Sequence, residues 1–119
     1  MNILLDTHVL IWVINDSPKL TKQRRNQINN AEQVFVSLVS LWECVIKVNV
    51  GKLKIDLHKM MGLLERFGFE LLPLRMNHIE ALVDLPLQHR DPFDRMLIAQ
   101  AKSEPLILVT DDKQIHGYF

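Results

Sequence analysis

Carboxylates stand at four places where an apolar run ends or a helix begins: Asp6 in ILLDTH, Glu43 in SLWEC, Asp94 in DPFDRMLIAQA, and the Asp111-Asp112 pair in LILVTDD. A parallel sheet gathers its strand ends along one edge, so acids spread over nearly the whole chain can meet there. Crowded carboxylates repel, and each unit by which a pKa rises costs about 1.4 kcal/mol, a penalty that a divalent cation removes. Oxygen ligands suit Mg²⁺ or Mn²⁺. An ion held this way points to hydrolysis by activated water. The five histidines, His8, His58, His78, His89 and His116, lack metal-binding spacing, and with one cysteine they make no zinc site. His8, two residues after Asp6, is the only histidine that the spacing puts near the acids, with packing at a helix start as its alternative role. No nucleophile motif supports Ser-His-Asp catalysis, and the four glycines form no phosphate-binding loop.

Each acid also has a local explanation. Asp91-Pro92 reads as an N-cap followed by the first helical position, and Asp94, three residues on, has the spacing of a capping-box partner. If Asp91 already caps the helix, Asp94 sits in the first turn beside Phe93 and an apolar face, where a metal accounts for it better. Ser40 and Glu43 have capping-box spacing too; with Ser37 as the cap, Glu43 lies too far into the helix for that job. Asp6 fits a cap of the first helix and Asp112 a cap of the last. The joint pattern, rather than any one acid, carries the functional reading.

The elements that must position these residues follow from hydrophobic patterning. Asn2 to Asp6 suits a strand buried on both faces, followed directly by a helix through Val9, Leu10, Trp12 and Val13 that stops at Asn15-Asp16-Ser17-Pro18. A polar, basic helix is expected from about Leu20 to Asn30. Val34 to Ser37 has strand composition, and Ser37 or Ser40 caps a helix that runs to Gly51. Asp56 caps a helix through Leu57, Met60, Met61, Leu64 and Phe67, closed by Gly68. Phe69 to Pro73 is a third strand, and Asn77 is expected to cap a helix carrying Ile79, Leu82 and Val83. The helix opened by Asp91 is strongly apolar and ends before Pro105. Leu106 to Val109 fits a buried parallel strand. Strands alternating with helices predict an α/β fold, a three-layer sandwich around a small, mostly parallel central sheet.

At 119 residues and 48% hydrophobic content the chain suits a single domain, 1–119, with one core. The 14 basic residues balance the 14 acidic ones, so nucleic-acid contacts must be local rather than driven by net charge. The lone Cys44 forms no internal disulfide and reads as a buried side chain in a reducing compartment. With no leader-like start and no long apolar run, the expected location is cytoplasmic.

The strings LLDTHVLIW, SLVSLWECVIKVNVGKL, HRDPFDRMLIAQA and LILVTDD together resemble the PIN-domain ribonucleases, specifically VapC-type toxins of bacterial toxin-antitoxin pairs. The likeness covers nearly the whole chain. It implies a PIN-like fold and a metal-dependent endoribonuclease with a catalytic and metal-binding set of Asp6, Glu43, Asp94 and Asp112, with Thr110 as a polar helper and Asp111 as the alternative fourth acid. The implied cofactor is Mg²⁺ or Mn²⁺, and the implied partners are an RNA substrate and a cognate antitoxin, with a homodimer or larger toxin-antitoxin assembly. Arg90 and Arg95 are candidate phosphate contacts, and Lys22, Arg24, Arg25, Lys52 and Lys54 candidate backbone contacts, each with a solvated or structural alternative. Trp12, Trp42 and Met60-Met61 are candidates for cover by the antitoxin, with core packing as the alternative. The family usually continues beyond the position of Phe119 into another short strand, so a smaller sheet or a truncated chain is expected. Two other readings remain at this level: a phosphohydrolase of haloacid-dehalogenase type, against which His8 stands where that group needs a second Asp, and a non-catalytic PIN-fold binding module.

Overall fold

The computed structural model describes residues 1–119. Its elements are β1 (Asn2–Leu5), α1 (Thr7–Ile14), α2 (Lys22–Asn30), β2 (Gln33–Ser37), α3 (Leu38–Asn49), α4 (Leu57–Arg66), β3 (Glu70–Leu72), α5 (Met76–Val83), α6 (Pro92–Ser103), β4 (Ile107–Val109) and α7 (Lys113–His116). The four strands form one sheet in the order β3-β2-β1-β4, and every pairing is parallel. Ile3 lies opposite both Val34 and Ile107, which puts β1 in the middle of the register.

Period-two alternation along β1 divides the apolar residues into two cores, one on each face of the sheet, in place of the single core expected. Ile3 and Leu5 face Val9 and Leu10 of α1, Leu41 and Cys44 of α3, and Met60 and Leu64 of α4. Leu4 faces the opposite side, with Leu97, Ile98 and Ala101 of α6 and Ile115 of α7. Helices cover both faces, so the fold is the expected three-layer α/β sandwich. Burial pushes the Cys44 thiol up to about 11, too high for thiolate chemistry at neutral pH. No helix is long and apolar enough to cross a membrane.

After β1 the chain moves to β2 and β3 on one side, then returns past β1 to place β4 on the other. The order therefore reverses between β1 and β4, and the crevice beyond the carboxyl ends of strands at such a reversal is where open α/β sheets bind ligands. Asp6 follows β1 there, and Thr110 to Asp112 follow β4.

Several local expectations need correction. The second helix starts at Lys22, because Thr21 accepts the Arg24 N–H and caps it, while Leu20 is drawn into the core. Asn77 is not a cap: α5 starts after Arg75, whose N–H donates to His78 Nδ1 at 3.0 Å. β4 is parallel and buried at Leu108 and Val109 as expected, but it is an edge strand and its Ile107 is exposed. Gly51 and Gly68 end α3 and α4 as expected, at φ values of 78° and 73° that a side chain resists.

The link between α5 and α6 is polar and buried. His78 is fully buried, and its Nε2 lies 2.6 Å from Glu104 Oε2. Because Nδ1 accepts from Arg75 N–H, the ring proton belongs on Nε2 and is donated to Glu104. That hydrogen bond holds the Glu104 carboxyl below its ordinary value of 4.5. The unfolded chain takes up the proton first as the solution is acidified, so this stabilisation is complete above pH 4.5 and disappears as the pH falls through the lower folded value. Glu104→Gln is expected to lower the melting temperature at pH 7, and the gap from the parent protein to close on acidification below pH 4.5. A gap that stays constant in melting curves across that range would show that the carboxylate charge contributes nothing.

Candidate metal centre

Asp94 lies in the first turn of α6, whose cap is Asp91: Asp91 Oδ1 accepts from the N–H groups of Phe93 and Asp94. The Asp94 side chain makes no return bond to the cap. Its Oδ2 instead lies 2.8 Å from His89 Nε2. Burial, followed by the smaller influence of Asp91 and Glu43, raises the Asp94 carboxyl above its ordinary value, with His89 opposing the rise.

Glu43 is in the second turn of α3. Ser37, the last residue of β2, caps that helix by accepting the Val39 N–H, and Ser40 is engaged elsewhere, accepting from the Thr7 hydroxyl at 3.1 Å. The capping-box role of Glu43 is thereby excluded. The residue is 8% exposed; Lys47 Nζ lies 3.4 Å from Oε2, while Oε1 is buried with no hydrogen-bond partner. Buried acceptors are rarely left this way, so each such atom needs an explanation.

Asp6 caps α1, accepting the Val9 N–H at 2.7 Å. Burial raises its carboxyl above the ordinary value, opposed by Thr110, Val9 and His8. Asp112 caps α7 through Gln114, and its own N–H donates to the Thr110 hydroxyl at 3.1 Å. Thr110 therefore stands between the two acids at the ends of β1 and β4. Asp111 turns to Arg24, whose Nε and Nη2 reach its Oδ1 at 2.9 and 2.6 Å.

Donor atoms of His89, Asp94 and Asp112 all lie within 4.8 Å of one another. Glu43 joins this group electrostatically through Asp94. Asp6 is adjacent through Thr110 but is not one of the three. His89 was not singled out by spacing, and His8, the histidine favoured by sequence, is exposed beside Asp6. The available signal was His89's place two residues before the Asp91 cap. Trp42 and Phe93, next to Glu43 and Asp94, meet edge to face at 5.1 Å, with Trp42 61% exposed.

The basic candidates separate. Arg24 is bound to Asp111, Thr110 O and Gln27, and Arg25 to Asp16, Ser17 O and Leu20 O. Arg95 donates to the carbonyls of Leu85, Pro86 and His89. These three tie the fold together and are not free phosphate contacts. Lys22, Lys52, Lys54 and Arg90 are all exposed. Met60 is core, whereas Trp42 is open.

The group fits a divalent cation: its donors are mainly carboxylate oxygens, Asp94 within it and Asp6 next to it are destabilised by burial, and Glu43 has an orphaned oxygen. A family model described as the PIN domain matches residues 3–118. The chain belongs to the PIN-domain family. Members of that family are in general nucleases. No curated protein sequence matches this PIN domain significantly. Among solved structures it is similar to VapBC2 from Rickettsia felis bound to a promoter DNA fragment, at 18% identity and a TM-score of 0.75, covering 98% of this chain and 92% of that one. It is also similar to DNA-bound VapBC from Salmonella typhimurium, at 18% identity and TM-score 0.68, with 98% and 91% covered. FitAcB from Neisseria gonorrhoeae aligns at 19% identity and TM-score 0.67, with 99% and 92% covered.

Proposed function

We propose that this PIN domain is a metal-dependent endoribonuclease of the VapC toxin type, restrained by a cognate antitoxin. The observation that carries the reading is the convergence of Asp94, Asp112 and His89 within 4.8 Å at the sheet's topological reversal, with the charge of the buried Glu43 acting on Asp94. Membership of the PIN family separates the chain from the haloacid-dehalogenase alternative.

Asp94 and Asp112 would hold the cation, with Glu43 supplying a third carboxylate and Asp6 acting from beside Thr110. A bound Mg²⁺ or Mn²⁺ would supply Lewis-acid polarisation of the phosphodiester and lower the pKa of an attacking water. Glu43 Oε1, buried without a partner, would be left with acceptor capacity for a donor bound in the site. Thr110 links the two strand ends by engaging both Asp6 and the Asp112 backbone. Burial of Asp6 and Asp94 keeps bulk water from screening their charge, which strengthens their pull on a cation.

The partner reading is supported by the toxin-antitoxin complexes among similar structures and by an apolar stripe on α3. Leu38, Trp42, Ile46 and Val50, spaced four apart, are all exposed and run away from the acids. Such a stripe suits an antitoxin segment or the second subunit of a homodimer.

Labelled RNA incubated with the antitoxin-free protein should be cut with Mg²⁺ or Mn²⁺ and left intact with EDTA. Metal-independent cutting, or failure to cut any RNA with either ion, would overturn the ribonuclease reading.

A further inference from the structure

His89 is built into the site more firmly than a loop residue requires. Its N–H donates to the Tyr118 hydroxyl oxygen at 2.9 Å, and its carbonyl accepts from Arg95 Nη1 at 3.0 Å. Both anchors are themselves fixed, since Tyr118 donates to Pro86 O at 2.6 Å and Arg95 donates to Leu85 O and Pro86 O. The His89 backbone is therefore held in place, and its side chain is only 12% exposed.

The spacing of its Nε2 suits a ligand. Two adjacent donors on one six-coordinate ion at about 2.1 Å stand about 3 Å apart. Nε2 and Asp94 Oδ2 are 2.8 Å apart, and an Asp112 donor lies within the same 4.8 Å group. Glu43, whose charge reaches Asp94, is a separate sign: Lys47 engages only its Oε2, and its buried Oε1 is left without a partner.

We propose that His89 Nε2 is a direct ligand of the cation, making a mixed nitrogen-oxygen set with Asp94 and Asp112 that selects Mn²⁺ over Mg²⁺. This rests on the metal-site reading above. Coordination through Nε2 uses the tautomer that carries its proton on Nδ1. Imidazole favours transition-metal ions, while Mg²⁺ prefers oxygen ligands and gives up its water reluctantly. A purely carboxylate site would show no such bias.

Pulsed EPR of the Mn²⁺-loaded full chain tests the proposal without relying on activity. The expected spectrum contains ¹⁴N couplings from a bound imidazole, and they vanish in His89→Gln, whose amide can still donate to Asp94. Competition between Mn²⁺ and Mg²⁺ should show the preference for Mn²⁺ shrinking about tenfold or more in that variant. Bound Mn²⁺ without ¹⁴N coupling in the unmodified protein overturns the proposal and leaves the metal site standing, with His89 only a hydrogen-bond partner of Asp94. Should neither the unmodified protein nor Asp94→Asn show site-bound Mn²⁺, or should both bind it equally, the metal-site reading fails and the proposal with it. The unmodified protein decides the ligand question even if His89→Gln does not fold.

Discussion

Asp94→Asn should reduce RNA cleavage by roughly 100-fold or more while leaving the metal-free protein no less stable than its parent. The activity estimate exceeds the 10–100-fold that removal of a mere partner to a metal ligand costs, because Asp94 is placed here as a ligand itself. The stability estimate follows from burial. Asp94 is raised above the ordinary carboxylate value mainly by desolvation, with Asp91 and Glu43 adding repulsion. A raised acid favours the folded state below its unfolded value and loses that advantage as the pH rises through its folded value. At neutral pH its charge therefore works against folding, and the amide relieves it while Oδ1 of Asn can still accept from His89. Metal should expose the contrast. A ligand that binds only the folded chain adds about 2.7 kcal/mol at 100 times its dissociation constant, so Mn²⁺ should raise the melting temperature of the parent and not of the variant. Thermal melts in EDTA and in Mn²⁺, run beside the cleavage assay, separate the two effects. Full cleavage by a folded Asp94→Asn protein would remove Asp94 from the site.

What could be read in advance depended on whether the determining contacts were local. β1 and β4 announce themselves as unbroken apolar runs because both faces of the sheet are covered. The Asp91-Pro92 helix start and the Gly51 and Gly68 stops are set by backbone preferences of single residues. The choice between Ser37 and Ser40 was not local: Ser40 is occupied by Thr7, which lies 33 positions away. Arg24 read as a free basic residue because its partner Asp111 is 87 positions distant. His89 was missed for the same reason. It sits in a connection without periodicity, and what aims it at Asp94 is the backbone grip of Tyr118, 29 residues later, together with Arg95. The four acids were visible because each stands where an apolar run ends or a helix begins. Which of them share a pocket depends on the order β3-β2-β1-β4, and residue spacing does not encode that order.

Leu97→Ala should cost about 3 kcal/mol of folding stability. Leu97 is fully buried one turn after Asp94, on the face of α6 that packs with Leu4, Ile98 and Ile115 into the second core. Truncation removes apolar contacts on all sides, and because β1 and α7 are held by their own packing and hydrogen bonds, the cavity collapses only in part. Helix propensity offers little relief, since Leu ranks next to Ala. Set against a typical 5–15 kcal/mol for a domain, the loss is large, and it should lower the melting temperature by roughly 10–15 °C. Leu97→Met, which conserves volume, should stay within about 1.5 kcal/mol of the parent. Val83→Ala on α5 should change stability by no more than about 0.5 kcal/mol, because Val83 is 81% exposed. Denaturant titrations of the three variants provide the comparison. If Leu97→Ala and Val83→Ala lost the same stability, α6 would not be packed through Leu97. The turn that carries Asp94 would then lack the rigid support that metal-ligand geometry demands.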